Sequence, residues 1–327
     1  MRMLVLGGTR FIGRALTAEL ARGDHEVAVM HRGRQLGGGE ADLPNGVCEF
    51  LLDRRDLLGN TEALVAWRPE VVVDVYAMTK ASARATLAAL ASGVRRWVVA
   101  SSMDVYRVYD RLQGHDSGPP LPGLLVEDSP LRQRLYPYRG ADREAEFSLA
   151  DYEKIEVERA VTTWPEVESV VVRLPAVYGP RDAQHRLAAD LSRMDRGDAV
   201  ITLGASEAAW RFAMGYVDDV AHALALAATH PAARGAYHVA DPKTLTRAEL
   251  LAALAAEADW DGIIEVVSDE DLPADRRSEL DYRQHMASDS SKIRRELGYS
   301  ELVSRREALR RTIAWERAER ERDAQTA

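Results

Sequence analysis

The chain has 327 residues, 46% apolar and 29% charged, which is the balance of a globular protein. Its 43 Lys+Arg against 52 Asp+Glu leave a net charge of −9, which argues against a general nucleic-acid or anionic-membrane binder. Cys48 is the only cysteine, which excludes an intrachain disulfide and a cysteine-based metal site, and no apolar run reaches membrane-spanning length; a cytoplasmic protein with a small-molecule partner, and no membrane, nucleic-acid or metal partner, is expected.

Residues 3–13, MLVLGGTRFIG, organise the rest. Met3 to Leu6 is a short apolar strand, Gly7 and Gly8 break it, and Ile12, Ala15, Leu16 and Leu20 then recur at helical spacing. A strand, a glycine turn and a helix hold a dinucleotide pyrophosphate on the unsatisfied amides of the helix N-terminus. In this reading Gly7 permits the tight turn, Gly8 lets the backbone approach the phosphates, and Gly13 lets the helix pack close to the strand. Arg10 falls in the first helical turn, where a cation opposes the helix dipole unless an anion sits beside it, and so invites a phosphate. An arginine directed to water is the alternative.

A second strand at 27–30 delivers HRGR. Acidic residues at this strand end hold the adenosine ribose hydroxyls in NAD-binding proteins. His31, Arg32 and Arg34 suit a 2′-phosphate instead, or form an ordinary basic turn. The third strand, 47–52, ends in Asp53, placed either to accept from an adenine amino group or to cap a helix. The fourth, 71–75, is a continuous apolar run of the doubly covered parallel kind and leads into Tyr76 and Ala77. An alanine-rich helix at 80–92 and a fifth strand at 97–100 follow, ending at Ser101 and Ser102. The long segment 107–140 reads as a lid or binding loop. A helix over 142–164 and a sixth strand at 169–173 lead into RLPAVYGPRD.

Beyond Pro180 the alternation loosens. Helices are expected at 187–196, 218–229, 247–258, 290–297 and from Arg305, and strands at 200–203, 236–239 and 263–267. The alternation of strands and helices is that of an α/β fold, with 236–240 returning to the sheet.

GGTRFIG, the acid after strand three, SSMDVY, RLPAVYGP, GYVDDVAHAL, AYHVAD and DSSKIRRELGY stand in one order over nearly the whole chain. Together they resemble the extended short-chain dehydrogenase/reductases, in the NAD-dependent epimerase/dehydratase branch. The GGTRFIG variant also resembles an offshoot that includes chloroplast stem-loop-binding proteins. The resemblance implies that Gly7, Gly8, Thr9, Arg10, Phe11, Ile12, Gly13, His31, Arg32, Arg34, Asp53, Arg54, Tyr76, Ala77, Lys154, Pro175 and Val177 contact the cofactor, read here as NADP with NAD less favoured. It further implies the fold, a doubly wound parallel Rossmann sheet of about seven strands with a smaller C-terminal α/β substrate lobe, in which residues 1–180 form the dinucleotide-binding domain, rejoined by 236–240, and residues 181–235 and 241–327 form the lobe. It implies as well a homodimer through the helices 80–92 and 142–164.

The family's chemistry uses a serine that orients the substrate oxygen, a tyrosine that exchanges its proton, and a lysine that holds the nicotinamide ribose and lowers the tyrosine pKa. Ser102 matches the serine, and Lys154 with Glu158 matches the family's K-x-x-x-E helix. Asp104 falls where sugar-nucleotide dehydratases place a catalytic acid, a solvated loop aspartate being the alternative. The tyrosine position, four residues before Lys154, holds Ala150. Tyr152 would lie roughly 200° around a helix from that position, facing the wrong side. Tyr138 is therefore the first candidate for the proton donor and Asp104 the second; Tyr76 and Lys80 reproduce Tyr-x-x-x-K only by coincidence. Of the arginines that clamp a diphosphate in the family's nucleotide-sugar enzymes, Arg211 is one residue out of register, and Arg276 and Arg277 stand in a different context. The expected function is an NADP(H)-dependent oxidoreductase, epimerase or dehydratase acting by hydride transfer on a sugar-nucleotide-like or natural-product substrate. The alternative is a catalytically silent cofactor-binding relative, a sensor or RNA binder.

Overall fold

The computed structural model describes residues 1–33, 43–57, 59–140, 149–165 and 167–326. Its first half runs β1 (Arg2–Leu6), α1 (Phe11–Ala21), β2 (Glu26–His31), β3 (Cys48–Leu51), α2 (Glu62–Trp67), β4 (Val71–Asp74), α3 (Lys80–Leu90), β5 (Arg96–Ser102), α4 (Arg107–Leu112), α5 (Lys154–Thr162) and β6 (Glu168–Leu174). The second runs β7 (Ala176–Tyr178), α6 (Ala188–Asp195), β8 (Val200–Gly204), α7 (Ala205–Ala209), β9 (Met214–Tyr216), α8 (Val217–Thr229), β10 (Gly235–His238), α9 (Arg247–Ala258), β11 (Ile263–Val267), α10 (Ser291–Leu297) and α11 (Arg305–Thr326).

The apolar runs of β1 and β4 carry no polar face, so both strands lie in the middle of a seven-stranded sheet ordered β10-β6-β5-β4-β1-β2-β3. Every neighbouring pair is parallel. Alternate side chains separate the core into two layers, as the two-residue period of a strand requires. Met3, Val5, Val29 and Val73 pack with Leu16, Leu20 and Val220 on one face. Leu4, Leu6, Val72 and Val99 pack with Leu87 and Val157 on the other. The order reverses between β1 and β4, so the turns after these strands part and open a crevice at the carboxyl edge.

Two expectations change here. The lobe was expected to include 218–229, but α8 packs on α1 and across β4, β5 and β6, and so covers the sheet. Helix 142–164 starts only at Lys154: residues 141–148 lie outside the described residues, and Leu149–Asp151 is a 3-10 turn. Two residues past that turn Glu153 caps α5, accepting from the Ile155 amide at 2.9 Å. The segment 107–140 opens with α4 and is strapped down rather than free. Leu125 exchanges backbone hydrogen bonds with Ala287 and Asp289, and the Arg132 amide donates to the Val105 carbonyl.

Candidate active site

The turn between β1 and α1 is shaped by three glycines. Gly7 has φ +84°, in the left-handed region that glycine adopts without strain. A Cβ on Gly13 would stand 2.0 Å from the Gly7 carbonyl oxygen, so this glycine seats the helix on the turn itself. A Cβ on Gly8 would meet Val29 Cγ1 at 2.6 Å and Thr17 Oγ1 at 2.7 Å. The smallness of Gly8 therefore makes room for β2 and α1, which corrects the expectation that it makes room for phosphates. The Thr17 hydroxyl locks the turn by donating to the carbonyls of Gly8 at 3.0 Å and Gly13 at 2.9 Å. Phe11, at the first position of α1, has φ +35°, a strained value held by this packing. Thr9, Arg10 and Ile12 complete the turn, with Arg10 at the N-cap and the amides of the first helical turn facing forward. This cradle fits a dinucleotide diphosphate.

At the adenosine edge His31 hydrogen-bonds Glu49 at 2.7 Å and accepts from the Gly33 amide at 3.1 Å. Arg32 is exposed beside it, and Arg34 lies outside the described residues. Asp53 caps a 3-10 turn through the Arg55 amide at 2.9 Å, and its hydrogen bonds to the Arg55 guanidinium hold its carboxyl below the usual range. Arg54, expected at the cofactor, turns inward instead. Its guanidinium meets both oxygens of buried Asp74, at 2.7 and 3.2 Å, and the Tyr76 carbonyl at 2.5 Å. It fixes the loop carrying Tyr76 and Ala77, whose Tyr76 side chain packs over Gly7. Val177 also departs from expectation: β7 alternates, so Ala176 and Tyr178 line the cleft while Val177 is buried in the core with its carbonyl accepting from Arg186. Pro175 lines the cleft.

The end of β5 gathers the remaining groups. Ser102 Oγ accepts from the Asp104 amide at 3.1 Å, capping the turn that carries Asp104 into the interior. Asp104 Oδ2 accepts from Tyr152 at 2.8 Å and from Tyr138 at 3.1 Å. Tyr152 therefore faces the site, contrary to expectation: an offset of roughly 200° holds only within a continuous helix, whereas Leu149–Asp151 is a 3-10 turn and α5 begins at Lys154. Burial pushes the Tyr152 phenol well above its ordinary pKa and the Asp104 charge adds to this, while a hydrogen bond with Ser102 opposes it. Burial likewise raises the Asp104 carboxyl, against the pull of Arg132. Lys154 is buried on the carbonyls of Ala77 at 2.7 Å and Ala100 at 2.9 Å, and desolvation lowers its pKa to about 8. Arg132 and Glu153, both fully buried and paired at 2.9 Å, brace the cluster, and Arg132 also donates to the Asp104 carbonyl at 2.7 Å. Sequence reasoning missed both, and a buried pair 21 residues apart leaves no local pattern to find.

Ser102, Asp104, Tyr138, Tyr152 and Lys154 line a cleft of ≈ 1220 Å³ that runs out into the lobe past Trp210, Phe212 and three arginines. Each arginine is already paired: Arg186 with Asp182 at 2.7 Å, Arg247 with Asp190 at 2.7 Å, and Arg305 with Asp241 at 3.0 Å. Arg211 donates to the Thr244 carbonyl at 2.7 Å. Arg276 donates to the Thr202 carbonyl and Arg277 to those of Leu272 and Glu270.

Comparison with known proteins agrees with this architecture. The model of the NAD dependent epimerase/dehydratase family matches residues 3–240. Over 258 residues the chain is 29% identical to the 2'-dehydrokanamycin reductase of Streptomyces kanamyceticus, covering 76% of this chain and 64% of that protein, so it spans somewhat less than two thirds of that relative. The UDP-glucose 4-epimerase of Thermus thermophilus, solved with NAD, superposes with a TM-score of 0.68 at 25% identity, covering 97% of this chain and 99% of that one. The UDP-glucose 4-epimerase of Thermotoga maritima, solved with UDP-glucose, gives 0.69 at 19% identity over 98% and 99%. A glycine turn after the first strand, a serine at the end of the fifth and a buried lysine on the following helix thus sit in a chain that belongs to the NAD-dependent epimerase/dehydratase family.

Proposed function

We propose that the protein is an NADP(H)-dependent oxidoreductase, epimerase or dehydratase acting on a carbonyl or carbinol carbon of a sugar-nucleotide-like or natural-product substrate. The observation that carries this reading is the convergence of Ser102, Asp104, Tyr152 and Lys154 on one cleft beside the glycine turn. The turn residues Gly7 to Gly13 would hold the diphosphate, and Lys154 with the Tyr76–Ala77 loop the nicotinamide ribose. A nicotinamide bound there supplies or accepts the hydride. Ser102 orients the substrate oxygen, and Tyr152 with Asp104 holds the proton that this oxygen gains or loses. Tyr152 supplies the phenol that Ala150 lacks, which disfavours a catalytically silent role.

The preference for NADP rests on Arg32 at the adenosine edge and Arg10 at the N-cap of α1, while His31 pairs with Glu49. Fluorescence titration tests both levels: NADPH is expected to bind at least about tenfold more tightly than NADH. Equal affinities would remove the 2′-phosphate assignment, and no binding of either would sink the oxidoreductase reading.

The outer arginines favour the natural-product class, because a diphosphate would have to displace the carboxylates that they hold. Tight binding of UDP would reverse that preference. Two copies would pair through α3 and α5, where Ala81 and Ala88 leave a low, exposed surface, although Ala83 packs on the chain's own sheet. Light scattering that shows only monomer at micromolar concentration rejects the dimer.

A further inference from the structure

The two oxygens of the Asp104 carboxyl have different surroundings. Oδ2 accepts from both phenols, Tyr152 at 2.8 Å and Tyr138 at 3.1 Å. Oδ1 is buried and has no hydrogen-bond partner among the described residues. With Oδ2 accepting twice, a proton on this carboxyl sits on Oδ1. The hydrogen bonds continue outward, since the Tyr109 hydroxyl donates to Tyr138 at 3.1 Å. A phenol has one O–H to give, so the donors point one way: Tyr109 to Tyr138 to Asp104. Asp104 is 6% exposed, whereas Tyr138 and Tyr109 are half-buried and line the cleft beside Gln113. Each step lies within the ~2.6–3.2 Å reach of a direct proton transfer. The hydride chemistry proposed above needs one proton donor and leaves Tyr138 and Tyr109 without a task.

We propose that Tyr109 and Tyr138 form a relay that reloads Asp104 with protons from water, and that the protein therefore catalyses a net reduction or oxidation rather than an epimerisation. The proposal rests on the oxidoreductase reading. When a carbonyl carbon takes a hydride from a reduced nicotinamide, its oxygen becomes an alkoxide and must gain one proton to leave as an alcohol. That proton departs from Oδ1. Oδ2 then takes the Tyr138 proton as Tyr138 takes that of Tyr109, and Tyr109 takes one from water. A half-turn of the carboxyl restores the starting form. The transfers are coupled, because burial and the Asp104 charge hold the Tyr138 phenol well above its ordinary pKa and keep a phenolate from accumulating. An epimerisation gives back the proton that it borrows and needs no path to solvent.

Infrared difference spectroscopy reads the relay in the whole protein without substrate. The protonated Asp104 carboxyl is assigned by the band lost in Asp104→Asn, and transfer into deuterated water times its exchange. Tyr138→Phe and Tyr109→Phe should each slow that exchange at least about tenfold, although the single Tyr109 O–H proton goes to Tyr138 and not to Asp104. Wild-type exchange rates in both variants overturn the relay, as does the absence of a protonated Asp104 band at neutral pH. NADPH titration of the same samples keeps the two readings apart: a wild-type protein that binds no NADPH fails as an oxidoreductase whatever its carboxyl does. With NADPH and a vicinal diketone as the carbonyl probe, lasting consumption of NADPH is the expected outcome. A substrate interconverted with no lasting change in nicotinamide absorbance overturns the assignment to net redox chemistry.

Discussion

At the end of β5, Ser102, Asp104, Tyr138, Tyr152 and Lys154 are held by hydrogen bonds of 2.7–3.1 Å, with Asp104, Tyr152 and Lys154 buried, whereas at the ends of β2 and β3 Arg32, Glu49 and Arg55 are exposed to water. The Arg55 side chain is 78% exposed and Glu49 45%. The two regions use charge differently. Burial at the first makes proton affinities adjustable: it raises Asp104 and Tyr152 and lowers Lys154. At the second, solvent screens each charge, so selection of a cofactor there depends on cations within reach of a phosphate. Chemistry should therefore respond steeply to single atoms at the inner end and gently at the outer one.

The largest effect is expected from removing one oxygen at the inner end. Tyr152→Phe deletes the hydroxyl that bonds Asp104 and leaves the ring that packs beside Tyr138. By holding Oδ2 this phenol leaves the Asp104 proton on Oδ1, and without it kcat falls by roughly 10²–10⁴ with the NADPH affinity nearly unchanged. Steady-state kinetics with a carbonyl probe and NADPH measures both, and an unaltered kcat would assign the proton to Asp104 alone.

Lys154 gives an intermediate effect with a sign set by burial. Its ammonium titrates at about 8 in the folded protein against an ordinary value of 10.5. Between these values the unfolded chain binds more protons, so this group's contribution to stability improves as pH rises through the window. At neutral pH the full penalty is present, worth about 3.5 kcal/mol at roughly 1.4 kcal/mol per pKa unit. Lys154→Met should therefore lose most of any stability advantage over wild type between pH 7 and pH 10.5, while remaining inactive throughout. Urea unfolding at the two pH values reads the difference, and a constant gap would show that the lysine is not penalised.

The sheet was legible because its signals are local. Runs such as LVLGG and VVVD have no helical period and no polar face, so neither could form anything but a covered strand and its turn. Elements beyond the sheet that carry little apolar pattern, such as α2, α4 and α7, were not seen. The inner site was half legible. Ser102 and Lys154 follow from spacing along a strand and a helix, but Tyr152 depends on where α5 begins. Glu153 decides that point, held by Arg132 in a buried pair closed by tertiary folding. A Glu at an N-cap is not a strong start signal, and a reading by helical periodicity ran through it. Arg54 and Val177 failed for a related reason: position in a motif does not say which way a side chain turns.

The smallest effect belongs to the outer end, and it decides how far the comparison holds. Arg32 is exposed at the end of β2, its charge helps to lower the Asp53 carboxyl, and the proposed NADP preference sets a 2′-phosphate against it. A charge-assisted contact to such a phosphate is worth about 1.5–3 kcal/mol, and exposure places this one at the lower end. Arg32→Ala should weaken NADPH about tenfold and leave NADH nearly unchanged, and the NADPH loss should shrink as salt is raised because solvent-exposed charges are screened. Arg10 should act in the same direction from the helix N-terminus, where a cation is tolerated best with an anion beside it. Equal losses for both cofactors would mean that Arg32 shapes the turn rather than reads the phosphate. A salt-independent loss would mean that the outer end, like the inner one, works in a site closed to water.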